Sequence, residues 1–137
     1  MLGKTLAFGG LGEAESTRTL ERYLFSANDQ AGSHCISRVD RHLKTQVSLT
    51  LPFRMHDVLC LDRDTVIGFG RRPGFLCAKV DFKTGDSQSI DATVGRHFYG
   101  HGCLSADKSL LFTTENDFNN AHGIIGVRDA TTLKPVG

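Results

Sequence analysis

Apolar residues along this chain alternate with polar ones over short runs and never recur at helical spacing for long. Gln46 to Leu51, QVSLTL, is the cleanest case, with Val47, Leu49 and Leu51 on one face. A period of two over five to eight residues is the pattern of a half-buried strand. The same reading gives strands over Arg22 to Asn28, His34 to Asp40, His56 to Leu61, Thr65 to Arg72 and Phe75 to Phe82. It continues with Ser87 to Val94, Phe98 to Leu104, Leu110 to Glu115 and His122 to Arg128, and a last strand begins at Leu133. Turn residues separate these runs: Asn28-Asp29, Asp62-Arg63-Asp64, Pro73-Gly74, Lys83-Thr84-Gly85-Asp86 and Ser105-Ala106-Asp107-Lys108. Pro52 closes the third run, because it has no backbone donor for a sheet. Residues 1–21 show no sustained period, and one or two helical turns are expected over 13–20.

The strands recur as sets. His-x-x-Leu-x-x-Asp occurs as His56, Leu59, Asp62 and again as His101, Leu104, Asp107, 45 residues later. An apolar strand ending in Asp occurs at Asp40, Asp81 and Asp129, at separations of 41 and 48. LFSAND at 24–29 is echoed by LFTTEND at 111–117. A period of about 40–45 residues with four short strands is that of a β-propeller blade. The expected fold is therefore all-β: antiparallel four-stranded blades of a partial propeller, about two and a half of them. Their spans are roughly 22–52, 56–94 and 98–137. Each blade is apolar on both faces, so it needs a neighbour. A closed propeller takes about 4–8 blades, so self-association through uncovered faces is expected.

Composition narrows the partners. The chain has 137 residues and a formal net charge of +1. Clustered Lys and Arg are lacking, so a nucleic-acid partner is not expected. No apolar stretch approaches the ~20 residues of a membrane-spanning helix. Cys35, Cys60, Cys77 and Cys103 have no C-x-x-C spacing, which argues against a zinc ribbon. Each lies in an apolar run, so buried free thiols are favoured over disulfides. Abundant Gly and scarce Pro suit short strands and tight turns.

GRHFYGHG at 95–102, LSADKSLLFTTEND at 104–117 and HGIIGVRDA at 122–130, with FGRRPGF at 69–75 and VDFKTG at 80–85, resemble a bacterial family of unknown function, domain-of-unknown-function family 1513. The resemblance spans roughly 22–137. It implies a propeller-like fold, export by the twin-arginine route and a periplasmic location. Family members are longer than this chain. They occur beside iron-related envelope proteins. The chain shows no twin-arginine start, and Arg71-Arg72 lies mid-chain on a strand end. The segment 1–21 then reads as a remnant of an export signal, or the protein is cytoplasmic if Met1 is its genuine start.

Candidate chemistry is sparse. His56, His97 and His101 sit near the innermost strands of the expected blades, where imidazoles could hold a transition metal or haem iron. A structural role, each histidine bonded to neighbouring backbone or carboxylate, is the favoured reading. Arg71 and Arg72 are anion-binding candidates, with ion pairs to Asp62, Asp64 or Glu115 favoured instead. Glu115 is a cation-ligand candidate, with a turn cap favoured. No nucleophile elbow, P-loop or dinucleotide fingerprint is present, and no catalytic residue is assigned. No particular cofactor is implied. The leading expectation is a binding or scaffold module of a bacterial envelope protein. A metal- or haem-associated protein, a lactonase-like hydrolase and a truncated product without function are the alternatives.

Overall fold

The computed structural model describes residues 22–136. The segment 1–21, with its expected helical turns, lies outside the described residues. Among the described residues, ten strands form three antiparallel sheets. The first sheet holds β1 (Arg22–Asn28), β2 (His34–Asp40) and β3 (Thr45–Leu51). The second holds β4 (Met55–Cys60), β5 (Thr65–Gly70), β6 (Leu76–Asp81) and β7 (Ser87–Asp91). The third holds β8 (Arg96–Leu104), β9 (Leu110–Asp117) and β10 (His122–Asp129). Strands are hydrogen-bonded in chain order within each sheet, as in up-and-down blades. The architecture is all-β and consistent with partial propeller blades.

Four strands per unit were expected, and the second sheet has them. The first shows three among the described residues. In the third, the segment after Asp129 makes a single bridge, Pro135 opposite Arg128, in place of the strand expected from Leu133. Val136 N–H donates to Val127 O at 3.0 Å beside it.

Aspartate side chains build the turns. Asp81 Oδ1 accepts the N–H groups of Lys83 and Thr84 at 2.7 and 3.1 Å. Asp40 does the same for His42 and Lys44 at 2.8 and 3.0 Å, and Asp129 for Thr131 and Thr132 at 3.1 and 2.7 Å. Each turn then passes through the left-handed region, at Leu43, Gly85 and Leu133. Glycine does so freely, whereas a leucine there costs about 1–2 kcal/mol. At Leu133 full burial of the side chain offsets that cost, by about 1.5–3 kcal/mol.

These turns fix how the units align. Arg22, Thr65 and Leu110 stand opposite Asp40, Asp81 and Asp129. In that alignment Leu59, paired with Ile67, corresponds to Cys103, paired with Phe112. The ungapped 45-residue spacing is thus out of step by one. The reason is local: Leu61 N–H reaches Thr65 O across one turn, while Ser105 N–H reaches Leu110 O across a turn one residue longer. The expected equivalence of His56 and His101 is corrected to one between Asp57 and His101.

The sheets stack face to face around the second. Val66, Ala78 and Val80 pack against Ile36 and Leu51 of the first sheet. Ile67, Phe69 and Cys77 point the other way and pack against Phe98 and Leu111 of the third. Two glycines permit close approach. A Cβ on Gly68 would lie 2.5 Å from Met55 Sδ, and one on Gly102 would lie 2.5 Å from Phe69 Cζ. Polar ties reinforce the first contact: Asp64, in the turn before β5, accepts from Arg38 Nη1 at 2.5 Å and Arg22 Nη1 at 3.4 Å.

The four cysteines are free thiols. Burial holds for Cys77 and not for Cys60 and Cys103, which are exposed; Cys35 is intermediate. Cys103 alternates to the uncovered face of the third sheet, while Cys77 alternates into the stack. Burial pushes the Cys77 thiol up to about 12.

Candidate functional site

The loop between β5 and β6 is short because two glycines let its backbone double back. A Cβ on Gly74 would lie 2.5 Å from Gly70 O, and one on Gly70 would lie 2.8 Å from Leu76 O. Arg71 N–H donates to Arg54 O at 2.9 Å, and Phe98 N–H donates to Gly74 O at 2.7 Å. The second bond fastens the loop to β8. The loop after β9 is drawn to the same place, with Phe118 N–H on Gly95 O at 3.3 Å.

These bonds bring an exposed aromatic cluster together at one end of the stack. His97 lies stacked on Phe118, with ring centroids 5.7 Å apart and planes 15° apart. Phe75 meets His97 edge-on at 6.1 Å, and Tyr99 lies 5.9 Å away on a tilted plane. The Arg72 guanidinium covers the Tyr99 ring at 4.3 Å. Phe75, Tyr99 and Phe118 are about half exposed, at 52%, 42% and 49%. Sequence reasoning singled out His97, Arg71 and Arg72 and missed these three aromatics. The signal was there, since all sit in or beside FGRRPGF, GRHFYGHG and TTEND.

Arg71 and Arg72 do not make the ion pairs expected of them. Among the described residues, no carboxylate pairs with either. Asp64 is taken by Arg38 and Arg22, which hold its carboxyl below the usual range, chiefly through the Arg38 hydrogen bond. Glu115 is taken by Arg128 and Arg96. Backbone N–H groups from Asp64 and Thr65 lower Asp62. Both residues are exposed, and the Arg72 guanidinium lies beside an aromatic plane, that of Tyr99.

Glu115 is no turn cap either. It is buried between the second and third sheets. Its Oε1 accepts from Arg128 Nη2 at 2.9 Å and from Thr113 Oγ1 at 2.8 Å. Gly126 leaves the room: a Cβ there would collide with Glu115 Oε1. Arg128 in turn lies 4.9 Å over the Phe98 ring.

His56 and His101 do come together. Their centroids are 5.0 Å apart, edge to face. His101 Nδ1 and Asp57 Oδ2 are 2.9 Å apart. Gly100, at φ +98°, makes space for the His56 ring, 2.6 Å from where its Cβ would be. His97 belongs to the aromatic cluster instead. Among the described residues, no three His, Cys, Asp or Glu side chains stand together in a way that would hold a metal ion.

Stacked antiparallel sheets, with an arginine–aromatic end built from two loops and β8, define an all-β protein with a chemically distinctive surface. The chain belongs to a family of proteins of unknown function, DUF1513, whose model matches residues 49–137. The match takes in the second and third sheets and the end of β3, and residues 22–48 lie outside it. No curated protein and no solved structure matches the chain. Among the described residues, no helix is long and apolar enough to cross a membrane.

Proposed function

We propose that the chain is a binding module, its sheets the blades of a propeller, and that its arginine–aromatic end captures an anionic ligand bearing a planar ring. One observation carries this reading: among the described residues Arg72 and its neighbour Arg71 lack carboxylate partners, and Arg72 lies over Tyr99 in a cluster where His97, Phe118 and Phe75 present ring faces and edges. A guanidinium forks onto a carboxylate or phosphate, and exposed rings stack on a flat ligand. Cation–π contact at an exposed site contributes about 0.5–1 kcal/mol, enough to hold Arg72 in place without neutralising it. An envelope location is part of the proposal and rests on the family resemblance.

Titrating the labelled protein with phenyl phosphate, benzoate and inorganic phosphate tests the site by NMR. Phenyl phosphate should move the signals of Arg72, His97 and Tyr99 at lower concentration than phosphate does. Replacing Arg71 and Arg72 together by Ala should abolish that effect. Shifts scattered over the surface, or unchanged in the double variant, would refute the reading.

A metal-associated role keeps one supporting observation. Asp57 holds Nδ1 of His101 beside His56, as carboxylates orient metal-ligating histidines. Elemental analysis after dialysis against zinc, copper or iron salts decides it, with His101→Ala as control. The hydrolase alternative has no observation of its own.

A further inference from the structure

A further loop, residues 92–95 between β7 and β8, is tied into the arginine–aromatic end. Ala92 N–H donates to Phe75 O at 2.8 Å, and Gly95 O accepts from Phe118 N–H at 3.3 Å. Between these ties Arg96 N–H closes a turn on Thr93 O at 2.9 Å. The third position of that turn, at φ +81°, is Gly95, which takes left-handed backbone freely. Val94 occupies the tip before it and is 99% exposed.

Apolar and basic groups share this end. Phe75, Tyr99 and Phe118 are about half exposed, so with Val94 four aromatic or aliphatic residues reach solvent from adjoining loops and β8. In the loops and strand ends of the second and third sheets here, Arg54, Arg71, Arg72 and Arg96 stand against Asp91 and Asp117. Asp117 is turned onto its own loop, where Oδ1 accepts from the Asn119 and Asn120 N–H groups at 3.0 and 3.1 Å. Among the described residues neither Arg71 nor Arg72 pairs with a carboxylate.

We propose that this end docks on an anionic lipid surface, with Val94, Phe75 and Phe118 entering the headgroup layer and Arg71 and Arg72 meeting headgroup phosphates. This goes beyond the small-ligand reading and does not rest on it. Charge complementarity favours such a partner, because guanidinium groups are drawn to the negative potential of anionic lipid. Tyr99 adds the mix of ring and hydroxyl that settles at a membrane–water boundary. Binding there grows with buried apolar area and with attraction to anionic lipid, and this end supplies both. The protruding valine favours a membrane over a protein partner. A protein interface needs a packed pocket for each apolar anchor, whereas a fluid headgroup layer closes round a tip without one.

Cosedimentation with vesicles tests this, using phosphatidylcholine alone and its equal mixture with phosphatidylglycerol. Wild type should bind the mixture, release as salt rises, and leave phosphatidylcholine alone unbound. Arg71→Ala with Arg72→Ala should weaken binding about 25-fold, at about fivefold per arginine. Val94→Glu should weaken it roughly tenfold or more. Because Val94 is so exposed, that variant should keep its β-type circular dichroism spectrum and its response to phenyl phosphate, which separates membrane docking from small-ligand capture. The chain has no Trp, so Val94→Trp supplies a lone reporter whose emission should shift blue with the mixture. No binding to the mixture, as expected of a surface built for a protein partner, would overturn the proposal. So would equal binding to both lipids, folded variants that bind as wild type does, or Val94→Trp emission that stays constant while the protein sediments.

Discussion

Replacing Glu115 by Gln removes one charge from the core and almost no volume. The effect is therefore electrostatic, with no cavity contribution. The Glu115 side chain is 1% exposed and that of Arg128 is 3% exposed. In the native protein Oε1 of Glu115 takes Arg128 at 2.9 Å and Thr113 at 2.8 Å, while Oε2 lies 3.6 Å from Arg96. In the Glu115→Gln variant the Arg128 guanidinium stays buried against Phe98 without a counter-charge. Losing one partner of a buried pair costs about 3–5 kcal/mol. That is a large part of the roughly 5–15 kcal/mol that holds a domain together. At about 2–4 °C per kcal/mol for a chain near this size, Tm should fall by roughly 10 °C. Urea denaturation at fixed protein concentration measures it directly. A second variant separates charge from packing: Glu115→Gln with Arg128→Met removes the stranded cation and should regain at least ~1 kcal/mol over Glu115→Gln alone. Arg96 is 34% exposed, so water screens it in both variants. A loss below ~1 kcal/mol for the single variant, or simple additivity in the double, would refute the reasoning.

Two glycines on β10 give a matched pair. Gly126→Ala places a methyl 2.6 Å from Thr113 Oγ1 and against the Glu115 carboxylate, and should cost about 1–3 kcal/mol. Gly123→Ala meets nothing within 4 Å and should stay within about 0.5 kcal/mol of wild type by the same denaturation assay. Acid should destabilise the fold in a defined window. Asp40, Asp62, Asp64, Asp117 and Asp129 are held below the ordinary 3.8 by hydrogen bonds, and Asp107 is lowered to about 2 by Ser105 and Ser109. Depressed carboxylates stabilise the fold above their unfolded value, and that stability is lost as pH falls through the folded one. Thermal melts should thus show Tm flat from neutral pH down to about 5 and falling from about 4 toward 2. A main loss above pH 5 would contradict this. Cys77, raised to about 12 by burial, should react with a thiol reagent only on unfolding, whereas exposed Cys60 should react in the native protein. Mass spectrometry of partially labelled chains distinguishes the two.

The strands were legible because their alternation is set by burial on one or two faces. QVSLTL showed it, and Asp40, Asp81 and Asp129 marked equivalent turns by side-chain chemistry that a sequence displays. The one-residue slip between His56 and His101 was not legible, because it comes from a turn longer by a single residue. Glu115 looked like a turn cap at the end of the strand in TTEND. Its burial depends on the Arg128 side chain reaching it from β10 and on Gly126 having no side chain, and neither fact is local to the motif. The arginine–aromatic end was half legible. FGRRPGF and GRHFYGHG are about 25 residues apart in the chain, and the bond from Phe98 N–H to Gly74 O joins them in space. That bond gathers Tyr99, Phe75 and Phe118 around residues the sequence had singled out.

The stacking of consecutive sheets carries the whole account, and one contact reports it. Phe69 of the second sheet sits over Gly102 of the third, with Cζ 2.5 Å from where a Cβ would be. In a proton NMR spectrum, the Gly102 α-protons should show nuclear Overhauser effects to the Phe69 ring and a ring-current shift that disappears in Phe69→Leu. Gly102 α-protons at ordinary shifts, with no contact to Phe69 in the folded protein, would contradict the account.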